Sequence, residues 1–141
     1  MSFALYALLT SESPEVTPQS LKATVDHYFR NSRQFSSRLV PKPFSRDQSL
    51  RLEWDRWSVI LTPEQGEHVK AESAEIRKRL GSKAPAGLEL LDRRVYAFFA
   101  DDPDKLYTTQ AVDVMQFLKE IEGSIVFDIK QNDILNHKRE R

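Results

Sequence analysis

The sequence predicts an α+β fold: a mixed, mainly antiparallel sheet with about three helices, largely on one face. Three observations lead there. Apolar runs of strand length alternate with segments of helical spacing. Their order reads β-α-β-β-α-β-α-β-β, which suits one sheet with helices laid against it. Acidic, proline-containing breaks punctuate the order, and any parallel step would need a right-handed crossover.

The first strand runs from Phe3 to Leu9 and ends at Thr10-Ser11-Glu12-Ser13-Pro14. Thr17 caps the first helix, with Pro18 where a missing N–H is no loss. Leu21, Val25, Tyr28 and Phe29 form its buried face, and it fades near Arg30-Asn31-Ser32. Pro41 and Pro43 make the stretch from Phe35 to Phe44 an edge strand or a loop. Leu50, Leu52 and Trp54 alternate with Arg51, Glu53 and Asp55, the pattern of a half-buried strand. Trp57 to Leu61 follows as another strand after Asp55-Arg56. That pair lacks the usual hairpin glycine or asparagine, so a single bulged strand is the alternative.

Thr62-Pro63-Glu64-Gln65 carries the signals of a helix start, and the helix runs to Leu80 with Gly81 as its stop. Its stripe (Val69, Ala74, Ile76, Leu80) is thin, and Glu75 with Arg79 is a favourable pair four residues apart. Ser82 to Gly87 is a linker, and Leu88 to Leu91 leads into the strand Val95 to Phe99. After Asp101-Asp102-Pro103-Asp104, Thr108 or Thr109 caps a helix whose inner face is Ala111, Val114, Met115, Leu118 and Ile121. Gly123 stops it, Ile125 to Ile129 returns as a strand, Gln131-Asn132-Asp133 turns, and Ile134-Leu135 begins a last strand. One domain, residues 1–136, precedes a frayed basic tail, 137–141. The two ends share an order of events: Tyr6-Ala7 and Tyr96-Ala97 in strands, an acidic loop, a threonine-led helix, then a strand led by Ser49 or Ser124. Duplication of a β-α-β-β unit and chance both account for it.

The 141 residues hold 21 basic and 21 acidic side chains, so no overall field draws nucleic acid or an anionic membrane. Cysteine is absent, which removes disulfides and thiolate chemistry. The opening MSFALYALLTSESPEV has no basic n-region and too short an apolar run to span a bilayer, so a cytoplasmic protein is expected. Among His27, His68 and His137, His68 has Glu64 at ligand spacing, on what reads as a polar helix face. HExxH, GxSxG, Walker and GxGxxG patterns are missing. No catalytic residue, metal site or cofactor is therefore expected. Asp101, Asp102 and Asp104 form the densest carboxylate cluster; it lacks the glycine and distal glutamate of a calcium loop, and its charges suit a helix N-terminus.

Trp54 and Trp57 stand three apart, so a regular pleat sends them to opposite faces and leaves one on the open face or under a helix. An exposed indole among Arg51, Glu53, Asp55 and Arg56 has the make-up of an interface hot spot. The competing reading covers both indoles with Phe35, Phe44 and the 63–80 helix.

FALYALL, TPQSL, RWSVILTP before a polar helix, and AVDVMQFLKEIEGSIVFDI together resemble small bacterial immunity proteins of polymorphic and type VI secreted toxin systems. That resemblance implies a stoichiometric inhibitor without catalysis, which occludes the active site of a cognate toxin. Its contact residues would be Trp54, Asp55, Arg56, Trp57, Asp101, Asp102 and Asp104, acting from a monomer or homodimer. Two other readings stand beside it: a small-ligand-binding regulatory domain of ferredoxin-like type, dimeric through the 35–44 edge, and a metal-dependent hydrolase using Asp101, Asp102 and His68.

Overall fold

A computed structural model describes residues 2–42 and 47–135; the tail 137–141 and Phe44 fall outside them. Seven strands, β1 (Phe3–Leu9), β2 (Phe35–Pro41), β3 (Gln48–Trp54), β4 (Trp57–Gln65), β5 (Arg93–Phe99), β6 (Ile125–Asp128) and β7 (Asp133–Ile134), accompany helices α1 (Pro18–Tyr28), α2 (Glu67–Leu80) and α3 (Thr108–Glu120). The strands form one sheet in the order β2-β3-β4-β5-β1-β6-β7. Every pairing is antiparallel, so no parallel step arises. The predicted α+β class holds, with two helices on one face and the third on the other.

Side chains alternate along each strand, and the register keeps the apolar set on one face. Leu5, Ala97, Leu61 and Leu50 lie in one row across β1, β5, β4 and β3. With Leu21 and Val25 of α1 and Val114, Phe117 and Leu118 of α3 they form the main core. Phe117 completes the α3 stripe and was absent from the spacing pattern. Each such Leu or Val contributes about 1.5–3 kcal/mol by leaving water. On the opposite face α2 buries Ile76 and Leu80 against Leu8, Leu88 and Phe127.

Within the sheet, the run β4-β5-β1-β6 with α1 and α3 on one face is a split β-α-β arrangement of ferredoxin-like type. The β2-β3 hairpin is inserted after α1, α2 is inserted between β4 and β5, and β7 is appended. The similarity of the two chain ends thus has a spatial counterpart: β1-α1 and β5-α3 sit side by side around an approximate two-fold. Beyond the helices the match fails, because β6 occupies the place that mirrors β4, not the Ser49-led strand β3.

Three local expectations are corrected. Thr62 to Gln65 is the end of β4, not a helix start, and α2 begins after Gly66. The Ala100 N–H bonds to the Ser58 carbonyl, and that of Gly66 to Asp92, so even-numbered β4 residues bond to β5 and Pro63 turns its nitrogen toward β3. The β3 ladder has ended at Leu61, so nothing is lost by the missing N–H. Thr108 and Thr109 do not cap α3; Tyr107 is the cap residue, and the Asp102 carboxylate accepts the backbone N–H groups of Leu106 (3.0 Å) and Tyr107 (2.9 Å). Glu75 meets Lys78 at 3.7 Å in place of Arg79, and Ser73 joins the α2 stripe by donating to the Leu91 carbonyl at 2.7 Å. Thr17 behaves as expected, its hydroxyl accepting the Ser20 N–H at 3.0 Å.

Candidate functional site

The seven residues singled out in the sequence gather at one end of the sheet, in two layers. Asp55-Arg56 is a two-residue turn that pairs Trp54 with Trp57, and Asp55 takes a positive φ of 51°, which aspartate tolerates better than most residues. A turn of that length resets the alternation. Both indoles therefore point to the core face: the reading that covers both holds, and the one that leaves an indole exposed does not. Trp54 is 1% exposed and Trp57 is 3%.

Of the expected cover Phe35 is in place, but the helix is not, since α2 lies on the other face. Trp54 packs against Phe29, Phe35 and Trp57, with centroids 5.2, 5.0 and 5.8 Å away, and donates its indole N–H to the Ser32 hydroxyl at 2.9 Å. Trp57 stacks on Tyr107 (5.5 Å, 4° between planes) and donates to the Ala100 carbonyl at 3.0 Å.

Tyr107 joins the β3-β4 turn to the β5-α3 loop. Its ring lies on Trp57 and its hydroxyl donates to the Asp55 carboxylate at 3.1 Å. The same oxygen accepts the Arg56 backbone N–H at the long distance of 3.5 Å. Asp102 is half-buried and ties down the turn that leads into α3, so its role is internal. What faces outward is Asp55, Arg56, Asp101, Asp104, Lys105 and Leu106. Leu106 is 70% exposed, an apolar side chain that follows the charged Asp104 and Lys105. Tyr107 and Leu106 were missed in the sequence; the signal available was an aromatic residue directly after an acidic turn.

A second concentration of polar groups lies at the opposite end, around a cavity of about 300 Å³ whose lining includes Lys42, Glu64, His68, Arg93 and Arg94. Arg93 donates to the carbonyls of Thr10 (2.7 Å), Ser13 (3.2 Å) and Pro14 (2.9 Å) and so ties down the β1-α1 loop. Arg94, 5% exposed, meets Glu64 and Glu72 at 2.6 Å each, with its guanidinium 3.9 Å over the Tyr6 ring. Burial alone would lower the Arg94 pKa, but the bonds it donates to both glutamates outweigh it and raise it. Glu64 thus serves Arg94 from a strand and is not paired with His68 along a helix.

The trio Asp101, Asp102 and His68 does not converge: the aspartates follow the C-terminal end of β5, and His68 lines the cavity beside its N-terminal end, a strand length of about 20 Å away. Among the described residues no group of three or more His, Asp or Glu side chains could hold a metal ion. No described helix is long and apolar enough to cross a membrane. No known protein family, no curated protein and no solved structure matches the chain.

Proposed function

We propose that this chain is a protein-binding domain that neutralises a cognate bacterial toxin by occluding its active site, with the surface at the β3-β4 turn and β5-α3 loop as its contact. The supporting observation is the Tyr107 clamp, which locks two loops into one surface over a buried tryptophan pair. Preorganised loops lose little entropy on binding, which favours tight stoichiometric association. Exposed Arg56 and Leu106 would be its anchors, with exposed Asp55, Asp101 and Asp104 as polar companions, a composition of interface type. Three outward aspartates, Asp55, Asp101 and Asp104, against Arg56 and Lys105 call for a basic face on the partner. Trp54 and Trp57 support this surface and do not touch the partner.

The test is co-expression with the product of the neighbouring gene, followed by co-purification and a growth-protection assay. A one-to-one complex, weakened at least about tenfold by Leu106→Ala with Asp104→Lys, is expected. A complex indifferent to both changes removes this surface, and absence of both complex and protection removes the function.

A second reading, a small-ligand-binding regulatory domain, draws on the ferredoxin-like core and the 300 Å³ cavity at the other end. Its mark would be a small anion or zwitterion that raises the melting temperature of the wild-type chain but not of His68→Ala.

A further inference from the structure

On the core face of the sheet, α1 and α3 do not close completely against each other. Between them lies a groove of about 550 Å³ with Leu21, Tyr28, Phe117 and Ile121 among its lining residues. The edge-to-face contact of Tyr28 with Phe117, centroids 5.3 Å apart, forms part of its wall. The charged groups on its rim are one-sided. Glu15, Glu120 and Glu122 stand around it, and His27 is the one basic side chain in the lining. This bias is local, since the whole chain balances 21 acidic against 21 basic residues. We infer that the groove is a docking site for an amphipathic, lysine- or arginine-flanked helix of a protein partner, its apolar stripe on Phe117 and Ile121 and its cations on Glu15, Glu120 and Glu122.

Two lines of physical chemistry meet here. An apolar trough between parallel walls accepts a helix through anchors three and four residues apart. Carboxylates along its edge then select the sign of the flanking charge and speed the encounter. The field reaches into the trough: the Tyr28 hydroxyl has its pKa raised by burial first, then by Glu120 and Asp113, with no cation acting against them. Among the described residues the neutral Gln116 amide donates to Glu120, at 3.0 Å, which leaves the carboxylate room for a cationic visitor. The groove lies at the C-terminal end of α3, about 20 Å along that helix from the Leu106 surface, so it goes beyond the toxin-binding reading and does not depend on it.

The test uses a fluorescein-labelled helical peptide of alternating leucine and lysine turns, with a leucine-glutamate counterpart, titrated by anisotropy against the full chain. Saturable binding of the lysine peptide alone is expected. It should weaken at least about tenfold in Glu120→Lys/Glu122→Lys and fall with added salt. Ala23→Trp, an exposed α1 position on the groove, should weaken it with the circular dichroism spectrum unchanged. Three outcomes overturn the inference: no saturable binding, equal binding of the glutamate peptide, or equal binding to the groove variants. So does a concentration-dependent dimer of the chain alone that Ala23→Trp abolishes, because a second copy is then the occupant.

Discussion

Removing Arg94 should show how α2 is fixed to the sheet. Its guanidinium is 5% exposed and stands between Glu64, a β4 residue 17% exposed, and Glu72, an α2 residue 51% exposed. In Arg94→Met the two carboxylates fare differently. Glu72 can turn to water at little cost. Glu64 is left shielded without a counter-charge, the situation that costs about 3–5 kcal/mol when one partner of a buried pair is deleted. Lost cation–π attraction over Tyr6 adds about 0.5–2 kcal/mol. The single variant should therefore lose about 3.5–7 kcal/mol by urea denaturation at neutral pH, with an unchanged slope. Adding Glu64→Gln should restore about half or more, since the stranded charge is then gone and an amide remains to accept bonds. A double variant no more stable than Arg94→Met would refute the reasoning, because the loss would then lie in packing rather than in the uncompensated carboxylate.

Gly123 has φ of 76°, and a Cβ there would run into the Thr10 hydroxyl and lie 3.0 Å from Glu12 Cβ and Ser13 Oγ. Gly123→Ala should cost about 2–4 kcal/mol, combining backbone strain with overpacking. Gly87→Ala, at φ of 82° with open space around it, should cost only about 1–2 kcal/mol in the same urea series. Trp57→Phe keeps a ring on Tyr107 but orphans the Ala100 carbonyl, so it should lose about 1–3 kcal/mol of stability while retaining the partner. Leu106→Ala should change stability by no more than about 0.5 kcal/mol and weaken the complex. Burial, partly offset by Arg94, raises the Tyr6 pKa, and burial with Glu120 and Asp113 raises that of Tyr28. The folded state then holds protons that the unfolded state has released, so this contribution is complete below about pH 10 and is lost as pH rises through the folded values. Urea midpoints between about pH 9 and 11 should fall less steeply in Tyr6→Phe and Tyr28→Phe than in the parent.

What could be read from the sequence follows the range over which each feature is decided. The Thr17 cap and the Leu21-Val25 stripe are settled within one or two helical turns, and spacing alone shows them. Thr62-Pro63 carries the same local chemistry as Thr17-Pro18, yet it ends a strand. Pairing with β5 from Thr62↔Tyr96 to Gln65↔Arg93 outweighs a cap worth about 1 kcal/mol, and no window around Pro63 contains that partner. The facing of the tryptophans turned on one undecided point, a turn or a bulge at Asp55-Arg56, because shifting the alternation by one residue moves every later side chain to the other face.

The candidate surface divides along the same line. Its acidic loop is visible as composition, since three aspartates around a proline suit a solvated turn or a helix start, and Asp102 organises the turn just before α3. That this loop would meet the hairpin is not visible, because the joining bond from Tyr107 to Asp55 spans 52 residues of chain. The aromatic pair beneath explains why such a bond can persist at an exposed position. A lone surface hydrogen bond is worth about 1 kcal/mol or less and would leave two loops moving independently. Stacked on Trp57, which is itself bonded to Ala100 at the root of the acidic loop, the Tyr107 ring has few other places to go. The tryptophans therefore act on any partner through the stiffness they give to Arg56, Asp104 and Leu106, and composition alone credits them with a contact that belongs to their neighbours.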